Sequence, residues 1–495
     1  MNSMVSACHL SLHERLDPMG APALLDELPG LPLAFDVDGM GERLQDALLP
    51  RSAGGFAIER RIRAQVVYDR LRACTIRYEI KLAGPEGAEA THLAAVRVFP
   101  TVRAAERYLK ERVLPLAARM HGRPEIARLA QPAAVLRDIR ATVAVFPIDP
   151  DLPTLLDATN SRLMGRVLAD TLPDTAAGPL EVRQCRIERG HYGRRNRCVL
   201  RYEIDGHLPL TGEKRGRVVY GKVAADDSGP LALHAVGALR ALNGGAGQRF
   251  AIPEALHFSP KLRLLLLDAL PGAPPVGRLL KMRVRADDPE EPGVLTLEEA
   301  IEACAGIAAR LHGSSIPLGA QRTAGQDIAE LAGAVQNMRP FGPELAAWLD
   351  YSLATAEERL RGSRQLDHGF SHGDFKVTQL LAEGRDVGLV DFDTVCQAEP
   401  ALDLGQCTAH LRVACRKAER AASVAPTELA ENLCARFMDA YLDAAGSGPR
   451  GASVLRARTG AYELVSLVRL AVHSWQKLKA ERIWNVATVL EERLS

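Results

Sequence analysis

Residues Phe370–Leu381 read FSHGDFKVTQLL, and Val390–Val395 read VDFDTV. Asp374 is followed five residues later by Gln379, and Asp391 and Asp393 come after an apolar stretch. Acids crowded between hydrophobic runs admit two readings. One is a polar loop capping two strands. The other is phosphoryl transfer, which needs a carboxylate beside the attacking hydroxyl and Mg2+ on the nucleotide phosphates. Mg2+ takes hard oxygen ligands, usually only one or two of them from protein. Asp374 would orient the hydroxyl or take its proton. The Gln379 amide oxygen and the Asp391 carboxylate would hold the metal. Between them QLLAEGRDVGLVDF reads as strand, Gly turn, strand. Such a hairpin returns both ligands to one place.

The elements that must position these groups divide the chain. In the first half, YDRLRACTIRYEI (Tyr68–Ile80) and YGRRNRCVLRYEI (Tyr192–Ile204) agree at seven of thirteen positions at a constant offset of 124. Each copy ends in the apolar/polar alternation of a half-buried strand. Each is followed by a second strand-like run, at Thr91–Pro100 and Arg215–Ala224, and then by a helical segment. The expected unit is therefore strand, strand, helix, used twice; two copies are too few for a solenoid. From Leu295 onward, apolar residues recur at i, i+3, i+4 spacing, as in LEEAIEACAGIAARLHG, and the second half reads as mainly helical. The expected organisation is a helical cap at 1–55, a first β-rich repeat at 56–155, a second, nucleotide-binding repeat at 156–285, and a helical lobe carrying the catalytic loop at 286–495. The breaks fall at the Pro- and Asp-rich Phe146–Leu155 and at RADDPEEPG, Arg285–Gly293.

Length and composition exclude several classes. A chain of 495 residues, 47% hydrophobic and 25% charged with net charge +1, is a globular protein of two or three domains. That balance supplies no field for nucleic acid or an anionic membrane. Nine scattered cysteines without a Cys-x-x-Cys pair predict a reduced chain and no zinc site. The N-terminus lacks a secretory pattern, and the most apolar run, Leu262–Leu270, is too short to span a bilayer. The expected location is the cytoplasm.

HGDFKVTQLL followed by GLVDFDTVCQAEPALDLG resembles the aminoglycoside phosphotransferase and choline kinase-like family of the protein-kinase-like superfamily. ARLHG at Ala309–Gly313 is similar to the helix that precedes the family's catalytic region. The resemblance implies an α+β, bilobal kinase-like fold with a duplicated β-rich amino-terminal lobe and a mainly helical carboxy-terminal lobe. It implies an ATP- and Mg2+-dependent enzyme acting on a small-molecule hydroxyl such as that of a sugar, amino alcohol or aminoglycoside. Asp374 takes the catalytic position and Asp391 the metal position. His372 braces the loop and Asp403 anchors its backbone. The family's Asn is here Gln379, as in maltokinase-like members. Lys376 stands where it could meet the transferred phosphoryl group as a point charge. The nucleotide lysine falls at Lys222, and the first copy offers Arg97 instead. The phosphate-covering loop falls at Arg189–Arg197, and backbone groups around Asp268–Leu270 face adenine. No Glu occurs between Ala224 and Leu242 to pair with the lysine. That gap and Gln379 leave a second reading, a pseudokinase that binds nucleotide or a partner without catalysis. A protein kinase, suggested by Lys376 alone, ranks last because no activation-loop signature is present.

Overall fold

The computed structural model describes residues 21–49, 56–69, 73–172, 180–192, 197–208, 211–243, 250–286, 293–446 and 448–494. Cys8, most of the break at 285–293 and the loop residues 193–196 lie outside them. Two five-stranded antiparallel sheets occupy the first half. Strands β1 (Ala57–Asp69), β2 (Ala73–Ala83), β3 (Glu89–Val98), β4 (Ala133–Leu136) and β5 (Ala141–Val145) run in the order β1-β2-β3-β5-β4. Strands β6 (Glu181–Arg189), β7 (Arg197–His207), β8 (Lys214–Ala224), β9 (Ala255–Ser259) and β10 (Leu264–Asp268) repeat that order as β6-β7-β8-β10-β9. In β7 every second residue, from Cys198 to Gly206, is buried, the period of two that the sequence displays.

The duplicated unit is larger than strand, strand, helix. A short helix precedes each sheet, Leu31–Phe35 and Leu155–Ala158, followed by α1 (Val37–Leu48) and α2 (Ser161–Thr171). Asp36 and Asn160 cap these with side-chain oxygens that accept from Asp38 N and Leu163 N. Tyr78 OH donates to Ala34 O, and its counterpart Tyr202 OH donates to Ala158 O at 2.9 Å. Met40/Met164, Gly41/Gly165, Leu44/Leu168 and Leu48/Leu172 recur at the same offset, and both methionines are fully buried. These few matches follow a helical period, so the alternating strand signal alone does not find them.

The strand register pairs the two copies residue by residue. Thr75 faces Arg97 as Val199 faces Lys222, with Cys74–Val98 and Cys198–Val223 beside them. Arg97 and Lys222 are therefore equivalent in the sheets, although they lie 125 rather than 124 residues apart. Arg97 is occupied locally, its Nη1 2.8 Å from Tyr108 OH.

The second half is helical: α3 (Ser228–Asn243), α4 (Val276–Val284), α5 (Leu297–His312), α6 (Ala324–Met338), α7 (Pro343–Arg361), α8 (Pro400–Ala421), α9 (Leu429–Ala444), α10 (Pro449–Gln476) and α11 (Ala480–Leu494). Two small sheets interrupt it, β11 (Gly369–Ser371) with β14 (Cys396–Ala398) and β12 (Leu380–Glu383) with β13 (Asp386–Leu389). One core joins the first sheet (Ile76, Val96, Val143) to α7, α10 and α11 through Leu349, Val468 and Val486. A second core gathers α5, α8 and α9 with Phe370, Phe375, Leu380 and Leu389 of the segment 370–389. Trp475 is core, 3% exposed and edge-on to Tyr68 at 5.3 Å. Among the described residues no helix is long and apolar enough to cross a membrane. The eight described cysteines are all buried.

Candidate active site

The loop after β11 is fixed by its backbone. Gly373 has φ +77°, and a Cβ there would lie 2.1 Å from Thr394 O, so only glycine fits. Asp403, fully buried near the start of α8, accepts from His372 N at 2.6 Å and from Gly373 N at 2.8 Å. His312 Nε2 lies 3.2 Å from the same carboxylate, and its Nδ1 lies 2.9 Å from Tyr441 OH. Burial pushes the Asp403 carboxyl up, but these partners outweigh it and hold it below the usual range. Gln406, one turn further, accepts from Phe375 N at 2.9 Å and donates to Gly373 O at 2.9 Å. Arg322 donates to Gly373 O at 2.8 Å and is itself fixed by Asp327 at 2.9 Å. The His372 ring lies 3.2 Å from Val390 O, bracing the loop against the strand that leads to Asp391.

The hairpin β12–β13 brings Gln379 and Asp391 together, with Leu380 opposite Leu389. Its outer edges bond to the segment after β10: Ala273 and Ala382 exchange bonds of 3.1 and 3.0 Å. Ala251 bonds the other edge, to Val387 O at 2.7 Å and from Leu389 N at 2.9 Å. Asp391 sits at φ +77°, a conformation a non-glycine residue adopts at a cost and most often at functional sites.

The side chains converge. Lys222 Nζ on β8 lies 2.6 Å from Asp391 Oδ1 and 3.0 Å from Asp393 Oδ1. Burial alone would lower the Lys222 pKa, yet Asp393 and Asp391 together hold it above its ordinary value. Asp391 is held well below the carboxylate range, burial being outweighed by Lys222. Lys376 Nζ lies 2.6 Å from Asp374 Oδ2. The Gln379 amide nitrogen lies 3.4 Å from Asp374 and 3.3 Å from Asp391, and its Oε1 is buried without a partner. Amide N and O are interchangeable by a half-turn. That turn would aim Oε1 at the gap between two carboxylates, an arrangement that only a cation makes favourable. The donor set, one amide oxygen and one half-exposed carboxylate, therefore fits Mg2+. Among the described residues no group of three or more His, Cys, Asp or Glu forms a metal cage, and Mg2+ on a nucleotide needs none.

The structure thus assembles Asp374, Lys376, Gln379, Asp391 and Lys222, braced by His372 and Asp403. Asp268 ends β10, with its carboxylate on Arg217 at 2.9 and 3.1 Å, and Leu270 packs toward Gly388 of the hairpin. α3 carries no acidic residue, and Asp393 lies 3.0 Å from Lys222. Arg197, at the start of β7, also reaches Asp393, at 3.3 Å, and Asp226 at 3.2 Å. Sequence reasoning placed Arg197 at the end of the phosphate-covering loop and missed Arg322 and Gln406. Gln406 lies three residues after Asp403, on the same helix face, and that spacing could have flagged it.

Residues 232–457 match the family model described as the phosphotransferase enzyme family (APH), so the resemblance carried by the catalytic-loop motif holds for this segment. The matched segment begins within α3, after Lys222 and the first repeat. Among solved structures, a choline kinase from Cryptosporidium parvum Iowa II aligns at 10% identity and TM-score 0.44, over 67% of this chain and 94% of that one. The GDP complex of a mutant aminoglycoside 2'-phosphotransferase-IIIa aligns at 13% identity and TM-score 0.44, over 68% and 97%. A glucosamine kinase aligns at 18% identity and TM-score 0.40, over 56% and 78%. No curated protein matches the chain. The fold is mixed helix and sheet, with a duplicated β-rich amino-terminal region and a helical carboxy-terminal one.

Proposed function

We propose that the chain transfers the γ-phosphoryl group of ATP to a hydroxyl of a small molecule, with Mg2+ bound by Gln379 and Asp391. The observation that carries this reading is Lys222 Nζ lying 2.6 Å from Asp391, a pairing of β8 with the hairpin across 169 residues. Lys222 holds the nucleotide phosphates and is itself held by Asp391 and Asp393. Asp374 accepts the proton of the acceptor hydroxyl as its oxygen bonds to the γ-phosphorus and the bond to the bridging oxygen of ADP breaks. Lys376 keeps the Asp374 carboxylate in place and offers its charge to the phosphoryl oxygens in flight. Mg2+, when bound, neutralises charge on the phosphate oxygens. Backbone groups around Asp268–Leu270 receive the adenine, since the segment after β10 is pinned to the catalytic hairpin.

The competing reading, nucleotide binding without transfer, draws on the absence of a carboxylate on α3. Asp393 answers that absence by sitting 3.0 Å from Lys222. The test is ATP consumption with a panel of sugars, amino alcohols and aminoglycosides. At least one acceptor is expected to drive turnover. Asp374→Asn should then cut turnover by about a hundredfold or more, the order lost with a general base, while ATP binding is kept. Unchanged turnover in that variant would remove Asp374 from the chemistry, and ATP binding without consumption on any acceptor would favour the competing reading.

A further inference from the structure

The segment that follows α5 ends on the catalytic loop. Residues 316–322 run beside β14, where Gln397 Nε2 donates to Ile316 O at 2.9 Å and to Leu318 O at 2.7 Å. Gln397 N donates to Ala320 O at 2.9 Å, and Arg322 N donates to Gln397 O at 2.9 Å. Gly319, at φ +88°, lets the segment close on β14, since a Cβ there would lie 2.4 Å from Val395 O. β14 is also the partner of β11, the strand that leads into the loop, with Cys396 opposite Ser371. Arg322 is thus placed from the same small sheet that launches the loop. Its Nη1 donates to Gly373 O at 2.8 Å, and its Nε donates to Asp327 Oδ1 at 2.9 Å. Asp327, in the first turn of α6, is 4% exposed, and Arg469 Nη2 of α10 lies 3.0 Å from the same oxygen.

We propose that Arg322 and Asp327 are positioning residues for phosphoryl transfer, acting through the Gly373–Asp374 peptide to aim the Asp374 carboxylate. The proposal rests on the phosphotransferase reading. Gly373 O belongs to the same planar unit as Asp374 N, so whatever holds that oxygen sets the plane from which the Asp374 side chain departs. Gly373 has no Cβ to limit its ψ, and that plane is free to turn unless its oxygen is held. Gln406 Nε2 holds it from α8 at 2.9 Å, and Arg322 holds it from the segment before α6 at 2.8 Å. Two features favour this role over plain ion pairing. Arg469 alone would neutralise Asp327, so Arg322 is a second guanidinium on one buried carboxylate, a surplus charge that stability does not require. The guanidinium also spends its Nη1 on a backbone carbonyl, that of the residue before Asp374, which fixes the course of the chain rather than one side chain.

The test is ATP consumption by the full chain at saturating MgATP, with the sugar, amino alcohol or aminoglycoside that drives turnover fastest, alongside MgATP titration and thermal denaturation. Arg322→Met keeps length and loses the charge and donors, while Asp327 keeps Arg469 as its partner. Turnover should fall on the order of tenfold, as misplacement of a catalytic group does, with MgATP affinity unchanged. Arg322→Lys keeps the charge, but one ammonium does not span both Asp327 and Gly373 O, and its turnover should lie between those of the wild type and Arg322→Met. Arg469→Met takes a charge from the same carboxylate and leaves Arg322 on Gly373 O, so it should lower the melting temperature and keep the turnover. The decisive readout is the double variant. In an Asp374→Asn background Arg322→Met should cost nothing further, because the carboxylate that it aims is gone. An equal loss in both backgrounds, or lower thermal stability with wild-type turnover, would show the contact to be structural and overturn the proposal. Should Arg322→Met not fold, Arg322→Lys and Asp327→Asn carry the same comparison, each with reduced turnover expected. No turnover by the wild type with any acceptor would overturn the phosphotransferase reading itself, whereas Asp374-dependent turnover indifferent to Arg322 would overturn only this inference.

Discussion

At the residue scale, Gln379 and His410 make the sharpest claims. Gln379 is buried, poorly bonded as it stands, and close to both Asp374 and Asp391. If its amide oxygen binds Mg2+, Gln379→Leu removes the ligand at nearly constant volume, since a hard cation cannot use a methyl group. ATP affinity titrated against Mg2+ should then need far more metal in Gln379→Leu, whereas Gln379→Glu should keep a ligand. Equal Mg2+ dependence in the Leu variant would make the residue structural. His410 is a different case. Burial first, then the Lys376 charge, brings its pKa down to about 3, so the ring is neutral in the fold. An unfolded chain would titrate it near ~6.5. Between these values the unfolded state binds the extra proton, so stability falls as pH falls, by at most ~1.4 kcal/mol per pH unit. Denaturant midpoints compared from pH 6.5 down to 5 should show a shallower slope in His410→Gln than in the wild type. The same slope in both would mean that His410 does not titrate between the two states.

At the element scale, the catalytic loop and hairpin were the most legible part of the chain. Asp374, Gln379 and Asp391 are spaced so that a strand, a turn and a strand bring them together, and Leu380 opposite Leu389 is the register this required. What the spacing could not show is how the loop is held. Asp403 and Gln406 arrive from α8, His312 from α5 and Arg322 from the loop before α6, and each of those bonds goes to backbone or to another brace rather than to a neighbour in sequence. The +77° φ of Gly373 is likewise invisible in a His-Gly-Asp triplet. Gly373→Ala would add a Cβ 2.1 Å from a backbone carbonyl that cannot turn aside. We expect a loss of at least about 2 kcal/mol of stability in denaturant unfolding, with activity largely abolished. A variant of wild-type stability and rate would show that the loop can rebuild without the left-handed residue.

At the scale of the whole molecule, the duplication was readable only where strands carried it. The RYEI endings gave the offset, whereas the helices ahead of each sheet shared too few residues to be seen before Tyr78 and Tyr202 were found bonded to equivalent carbonyls. The two copies have since taken different partners. The first sheet is built into one core with α7, α10 and α11, and the second presents Lys222 to the hairpin. Arg97, the register equivalent of Lys222, is turned instead to Tyr108 and to Asp151 at 3.6 Å. The account therefore requires a single nucleotide site, formed by the second copy and the catalytic hairpin. Calorimetric titration with MgATP tests this most directly. It should give one site per chain, lost or weakened at least tenfold in Lys222→Ala, as loss of a charged phosphate contact implies, and retained in Arg97→Ala. Two equivalent sites, or a site that survives Lys222→Ala and disappears in Arg97→Ala, would contradict it.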